Sequence, residues 1–259
     1  MRLKIEASLD YYFPQACELL LALEVAPLPD QRLVDDLLTV KGVGELYPVA
    51  DAEGVGRRTW MMVEGRIQAH YQATVDVERV PVALDDLVIA PLHELPSDVV
   101  SYLWPSRYCE ADKFESFVDK RFGEIEGGAR IAAMAAWIRE EMDYVPGTSD
   151  TNTTASDAFV ARQGVCRDYA HLMATFARAA GVPARLVSGY ALDLDPPDFH
   201  AVVEVWLSGG WQIVDATGKA KPGAIARICA GRDATDIAFM TSFGPAQMNS
   251  QSVTVSLVD

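Results

Sequence analysis

The stretch GVCRDYAHLMATFARAAGVPAR, residues 164–185, decides the fold of this chain of 259 residues. Apolar side chains recur along it at i, i+3, i+4, i+7, i+8 and i+11, which is the spacing of one helix face. Gly181 suits the left-handed residue that ends a helix, and Pro183 cannot continue one. The pattern therefore predicts an amphipathic helix that begins near Cys166. Its apolar positions are Tyr169, Leu172, Met173, Phe176, Ala177 and Ala180.

Further predicted elements flank this helix. Upstream, ARIAAMAAWIREEM at 129–142 repeats apolar residues at helical spacing, and we interpret that stripe as core packing. A helix backed by successive antiparallel strands predicts an α+β fold. The strand-like runs downstream are ARLVSGYA at 184–191, FHAVVEVWL at 199–207, WQIVDAT at 211–217, IARICAG at 225–231 and QSVTVSLV at 251–258.

The pattern changes along the chain and predicts three parts. Residues 1–90 contain short apolar runs with partial period-two alternation, which indicates an N-terminal β domain resembling a sandwich. Residues 91–111 carry three prolines and break every period, so we expect an extended linker there. Residues 112–259 then form the domain that contains the Cys166 helix.

Composition excludes several classes of protein. Lysine and arginine number 22 against 37 aspartates and glutamates, a net charge of −15 that argues against a nucleic-acid partner. No apolar stretch is long enough to span a bilayer and none resembles a secretion signal, so we expect no membrane partner. Four cysteines stand far apart without a CxxC pair, which predicts reduced thiols, no zinc site and a cytoplasmic location.

Cys166 is the first candidate for chemistry. The N–H groups and the dipole at a helix N-terminus stabilise a thiolate, and Gly164 lets the backbone approach closely. Most buried cysteines are structural, so this position favours a nucleophile without establishing one.

His200 and Asp215 supply the other two groups that a nucleophilic cysteine needs. The base must lie within hydrogen-bond reach of the thiol, and a third group must orient the base. His200 opens one strand-like run and Asp215 closes the next. If Gly209 and Gly210 formed a tight turn, Asp215 would face Glu204, about 13 Å along the strand from His200. The three residues can therefore meet only through a wider loop, a bulge or a bend.

Several of these motifs, in this order over residues 130–220, resemble the core of the bacterial transglutaminase-like superfamily, which is similar to that of papain-like cysteine enzymes. They are GVCRDYAHL, GVPARLVSGY, FHAVVEVWL and WQIVDATG. The resemblance implies that Cys166 is the nucleophile, His200 the base and Asp215 the residue that orients it. One departure is Val202, where members often carry an aromatic residue, so the lining of the cleft is expected to differ.

The resemblance implies acyl transfer on amide or peptide bonds through a thioester, with a peptide or protein substrate and no cofactor or metal. We expect hydrolysis, because water is abundant around an open site. Tyr144 precedes the loop that faces the site and is a candidate for the substrate cleft. Three alternatives stay open: a transglutaminase that cross-links glutamine side chains, a non-catalytic binding protein on the same fold, and a metal-binding protein using Cys166 and His200. The oligomeric state does not follow from the sequence.

Overall fold

The computed structural model describes residues 1–50 and 55–258. Its strands are β1 (Arg2–Leu21), β2 (Gln31–Val43), β3 (Tyr47–Ala50), β4 (Arg57–Val77), β5 (Asp143–Tyr144), β6 (Gln163–Gly164), β7 (Ala184–Ala191), β8 (Phe199–Leu207), β9 (Gly210–Val214), β10 (Ile225–Gly231), β11 (Met240–Ser242) and β12 (Gln247–Leu257). Its helices are α1 (Ser97–Val100), α2 (Glu115–Phe122), α3 (Gly127–Glu141), α4 (Ala155–Ala161), α5 (Cys166–Ala179) and α6 (Ala234–Ile237). The predicted α+β class is confirmed.

The β-rich N-terminal region is also confirmed, and its strands lie in one antiparallel sheet. The strand order is β11-β1-β4-β2, with β12 paired to β1 and β3 paired to β4. The two long strands β1 and β4 pair from Arg2 with Asp76 to Leu21 with Thr59. Every second side chain of β1 is buried over much of its length, as expected when one face of a sheet covers a core.

Two strands of this sheet come from the other end of the chain. Both β11 and β12 pair antiparallel with β1, the latter over Leu3–Tyr12. The range 112–259 that we predicted as the second domain therefore contributes strands to the N-terminal sheet. The boundaries at 90 and 111 stay a prediction, but the pairing ties both ends of the described chain into one structure.

The segment 91–111 contains helical turns where an extended conformation was expected. Pro96 precedes α1, where its fixed φ angle favours a helix start. Tyr102 and Cys109 are buried, and the Tyr102 ring packs edge-on against Trp211 at a centroid distance of 5.3 Å. The segment therefore contacts the core through its second half, whereas residues 91–94 and 96–98 are exposed.

The second half has the predicted helix-on-sheet layout. Four strands form an antiparallel sheet in the order β10-β7-β8-β9, and α5 packs on β7 and β8. The helices predicted at 129–142 and from Cys166 are confirmed as α3 and α5. Every residue of the predicted α5 stripe is buried except Ala180, which is half-buried, because this face covers the sheet.

The two sheets share one hydrophobic core. Tyr71 of β4 stacks on Tyr190 of β7 at 6.2 Å, and the Tyr190 hydroxyl donates to the Leu23 carbonyl. The four-stranded sheet is thereby held against the N-terminal sheet, and the start of β8 has a fixed position above it.

Candidate active site

Cys166 is the first residue of α5 and is half-buried. The helix start is held by Asp168, whose Oδ2 accepts a hydrogen bond of 2.8 Å from the Val165 N–H. A Cβ atom on Gly164 would lie 2.6 Å from the Asp168 Cβ, so a glycine is required for this approach. The Asp168 carboxylate thus bonds to the residue before the helix and fixes the helix N-terminus at Cys166.

Tyr144 lies beside this helix start. The short parallel pair of β5 and β6 sets Tyr144 in register with Gly164, and the Val145 N–H donates to the Gly164 carbonyl at 3.0 Å. Burial and the neighbouring Cys166 sulfur raise the pKa of Tyr144 to about 12, while the Cys166 N–H opposes that rise. The residue predicted for the cleft is therefore next to both the sulfur and the backbone N–H of Cys166.

The register of β8 and β9 decides whether His200 and Asp215 can meet. Leu207 pairs with Gly210, so the tight turn consists of Ser208 and Gly209, one residue earlier than the turn that we considered. When this register is continued by one residue, Asp215 lies opposite Val202. His200 is two residues before Val202 on the same face of the sheet, so it is a diagonal neighbour of Asp215. His200 Nε2 is 3.0 Å from Asp215 Oδ2. Neither a wider loop nor a bulge is needed.

Asp215 is fixed by its own loop. Its Oδ1 accepts from the Thr217 N–H at 2.9 Å and from the Thr217 hydroxyl at 2.7 Å. Its Oδ2 accepts from the Ala220 N–H at 2.8 Å in addition to the His200 contact. These contacts hold the carboxylate in one orientation.

The charges of Cys166, His200 and Asp215 oppose the effect of burial on the pKa values of His200 and Asp215. Burial lowers the pKa of His200, but hydrogen bonds to Asp215 and Cys166 and their charges raise it to about 9. Burial raises the pKa of Asp215, but the hydrogen bond and charge of His200, together with the hydrogen bonds from Thr217 and Ala220, lower it below its usual value. The structure thus brings the three predicted residues together, with His200 between a carboxylate and a sulfur.

Two contacts at this site escaped the sequence analysis. Thr217 anchors Asp215, and the Asp-Ala-Thr order is a turn signal that could have indicated it. Lys219 places its Nζ 4.6 Å from the centroid of the Tyr144 ring and donates to the Asp195 carbonyl at 3.3 Å. Lys219 is exposed, and nothing in the sequence indicates that it lies beside Tyr144.

The remaining candidates lie elsewhere or in other roles. His171 is fully buried, its Nε2 accepts from the Ala234 N–H at 3.1 Å, and burial lowers its pKa to about 3. Val202 is buried beside Val187 and Ile213 and does not line a cleft. Among the residues that the structure describes, no group of three or more His, Cys, Asp or Glu side chains could hold a metal ion.

Comparisons with known proteins identify the family of this chain. The transglutaminase-like superfamily matches residues 118–216 of the chain. The chain is 32% identical to a candidate cysteine protease from Cytophaga hutchinsonii whose crystal structure is known. The alignment covers 100% of this chain and 91% of that one, with a TM-score of 0.94. The chain belongs to the transglutaminase-like superfamily.

Curated relatives match over shorter ranges. An uncharacterized protein of Mycobacterium leprae is 33% identical over 149 residues, which are 52% of each chain. The protein-glutamine gamma-glutamyltransferase of Pseudomonas aeruginosa is 42% identical over 115 residues, which are 38% of this chain and 17% of that protein. The chain spans about half the length of the first of these relatives and less of the second. Within residues 1–50 and 55–258, no helix has the length and apolar character needed to cross a bilayer.

Proposed function

We propose that this protein is a cysteine-dependent acyl-transfer enzyme that hydrolyses amide or peptide bonds, with Cys166, His200 and Asp215 as its catalytic triad. The observation that carries the proposal is the position of His200, 3.0 Å from an anchored Asp215 and in contact with Cys166 at a helix N-terminus. A nucleophile, a base and a group that orients the base are the parts that thioester chemistry needs.

Acylation begins with the Cys166 thiolate. Its sulfur attacks the substrate carbonyl carbon, and the carbonyl oxygen takes up the negative charge near the Cys166 backbone N–H. Asp215 engages His200 Nε2, so Nδ1 is the ring nitrogen that faces the sulfur. The imidazolium gives its proton to the leaving amine, the C–N bond breaks, and a thioester on Cys166 remains.

Deacylation reverses the role of the histidine. Neutral His200 takes a proton from water, the resulting hydroxide attacks the thioester carbonyl, and the C–S bond breaks. The products are a carboxylic acid and the Cys166 thiolate with protonated His200. Asp215 stabilises the imidazolium in both halves of the reaction and stays ionised.

A covalent probe tests the assignment without knowledge of the substrate. A peptide carrying an acyl electrophile should label Cys166, located by peptide mapping, and labelling should fall strongly in His200→Gln. Cys17→Ala is the matched control, since Cys17 is buried in the N-terminal sheet and its loss should leave labelling unchanged. A probe attached mainly to another cysteine would refute the triad.

Cross-linking is the second candidate, favoured by one observation. The Pseudomonas aeruginosa relative is named a protein-glutamine gamma-glutamyltransferase and shares 42% identity over 115 residues. In that reaction a lysine amine, in place of water, would resolve the same thioester. We favour hydrolysis because Cys166 is half-buried and so reachable by solvent.

The two outcomes separate in one assay. An acyl donor is offered with a labelled primary amine, and acid formation is measured beside amine incorporation. We expect acid to dominate and both products to vanish in Cys166→Ala. Amine incorporation that outpaces acid formation would make the protein a transglutaminase. No covalent product with any donor, and no probe labelling, would favour the non-catalytic binding protein.

Substrate class and location follow from the same reasoning. A peptide or protein amide is the expected substrate, and a net charge of −15 makes nucleic acid an unfavourable partner. The four cysteines form no disulfide among the described residues, which suits the reducing cytoplasm. Fractionation of cells that express the protein tests the cytoplasmic location, and recovery outside the cytoplasm would refute it.

A further inference from the structure

The strand β12 forms one exposed edge of the six-stranded sheet. In the part of the chain that the structure describes, it pairs with β1 and with no other strand. Its outer edge therefore offers backbone N–H and C=O groups along 11 residues. The whole range from Met240 to Val258 contains no charged residue, and β12 contains no proline.

The opposite edge of the sheet is built differently. Strand β2 carries Arg32, Asp35, Asp36 and Lys41, and its register with β4 shifts twice. Charges and irregularities of this kind are how proteins prevent edge strands from pairing with other chains. Strand β12 has no such charge, and its one register shift, between Asp10 and Tyr11 of β1, lies outside residues 252–256, so this part of the edge is unprotected.

The sequence of β12 is self-complementary. Residues 252–256 read Ser-Val-Thr-Val-Ser, which is the same in both directions. If two copies pair antiparallel around a two-fold axis at Thr254, each Ser252 lies opposite Ser256 of the partner subunit, and each Val253 opposite Val255 of the partner subunit. Hydroxyl pairs and β-branched pairs of this kind stabilise neighbouring strands.

The exposure of these residues agrees with that arrangement. Ser252, Thr254 and Ser256 are exposed on the outer face, whereas Val253 is buried and Val255 is half-buried on the inner face. Opposite residues in an antiparallel pair share a face, so the pairing extends both faces of the sheet without changing the fold.

Charge also favours this edge over other surfaces. Two copies that each carry −15 repel one another across most of their surface. Asn249 of β12 donates to Asp10, and Gln251 donates to Asp198, both toward the start of the strand. Nearer the axis, Glu6 of β1 lies opposite Thr254, where it forms an ion pair with Lys4 at 2.8 Å. The segment centred on Thr254 therefore adds little net charge to a contact between two copies.

We propose that β12 is a self-association edge, and that two copies of this chain pair antiparallel through residues 252–256 into one continuous sheet. The occupant is a second copy, because the palindromic segment matches its own sequence. This inference does not depend on the proposed catalytic function, since none of the residues involved contacts Cys166, His200 or Asp215.

The test is the mass of the purified chain over a dilution series, measured by light scattering and sedimentation velocity. We expect a species of twice 28.3 kDa at high concentration that dissociates on dilution. Thr254→Lys places two lysines opposite one another at the axis and should weaken the dimer on the order of tenfold or more. Thr39→Lys, at an exposed threonine on β2, is the matched control and should have no effect.

A mixture supplies the positive arm. Thr254→Glu alone should also weaken the dimer, and mixing it with Thr254→Lys should restore a dimer, because opposite charges then face each other. Circular dichroism confirms that each variant is folded. A wild-type chain that is monomeric at every concentration, a dimer that Thr254→Lys leaves unchanged, or a mixture that fails to recover the dimer would each overturn the proposal.

Discussion

Replacing Asp215 with asparagine should lower the pKa of His200. In the native protein the pair at 3.0 Å, together with Cys166, raises that pKa from 6.5 to about 9 against the opposing effect of burial. This rise corresponds to about 3 kcal/mol in favour of the imidazolium. The asparagine keeps the shape of the side chain and removes its charge, so one of the two charges that oppose the effect of burial on the His200 pKa is lost.

The expected size follows from the loss of one close opposite charge. Such a charge changes a pKa by about one to three pH units, or about 1–4 kcal/mol. The Cys166 thiolate also raises the pKa of His200. We would therefore make Asp215→Asn in a Cys166→Ser background and compare it with Cys166→Ser alone, so that the two proteins differ only at position 215. His200 then titrates near or below neutrality, and an imidazolium is scarce at the pH where the leaving amine needs its proton.

Nuclear magnetic resonance of the histidine rings measures this directly. The chain has four histidines, and His200→Gln identifies the signal. Asp198→Asn is the matched control, because Asp198 is exposed two residues before His200 and bonds to Gln251. A His200 midpoint that stays the same in Asp215→Asn, or that falls equally in Asp198→Asn, would refute the role given to Asp215. The rate of acyl transfer should fall by about 10²–10⁴ if the reasoning holds.

Three other predictions concern reactivity and stability. Cys166 should react with iodoacetamide faster than Cys17, Cys109 and Cys229, because these three are buried and burial raises the pKa of Cys109 to about 11; peptide mapping over time would show equal rates if this is wrong. Burial keeps His171 neutral in the folded protein down to about pH 3, whereas its pKa in the unfolded chain is 6.5. The stabilising effect of this neutral histidine on the free energy of unfolding is complete above pH 6.5. It is lost by about 1.4 kcal/mol for each pH unit below 6.5, because only the unfolded chain then takes up the proton. Urea unfolding between pH 6.5 and 5 should therefore show a slope that His171→Gln flattens, and an unchanged slope would contradict it. Gly164→Ala should destabilise the protein by about 1–3 kcal/mol and displace Asp168, whereas Gly44→Ala, with nothing within 4 Å of its Cβ, should not; equal melting temperatures would contradict the steric account.

Local periodicity was sufficient to predict the two longest helices, α3 and α5. The stripe from Tyr169 to Phe176 and the one from Ile131 to Met142 recur over several turns, and both are buried as expected. Periodic patterns of this kind predict helices well because the backbone hydrogen bonds of a helix are made within it. Tertiary contacts only select which face is covered.

Long-range pairing could not be predicted in the same way. Nothing in QSVTVSLV indicates that β12 pairs with β1, whose partner residues are 235 to 254 positions away in sequence, and not with the four-stranded sheet. The segment 91–111 likewise contains helical turns, and the ring of its Tyr102 packs against Trp211, more than 100 residues further along the chain. In both places the deciding contacts come from residues that the local pattern does not contain.

The candidate site shows how small a difference in register matters. Placing the tight turn at Gly209–Gly210 would set Asp215 opposite Glu204, whereas the turn at Ser208–Gly209 sets it beside Val202. Side chains alternate with a period of two, so a change of two positions in the pairing keeps the face but moves the carboxylate by about 7 Å along the strand. The residue types and their order were visible in the sequence, but the distance between them was not.

In the proposed mechanism, the choice between water and an amine depends on the surroundings of the thioester and not on Val202. That residue is buried beside Val187 and Ile213, so the absence of an aromatic ring there says nothing about an amine channel. Besides His200, Tyr144 is next to the sulfur, and Lys219 lies over the Tyr144 ring. A lysine already held close to the site repels a second ammonium group at short range, which disfavours an incoming lysine amine. Lys219→Gln should therefore raise amine incorporation relative to acid formation, and a ratio that stays the same or falls would show that this lysine does not select against amines.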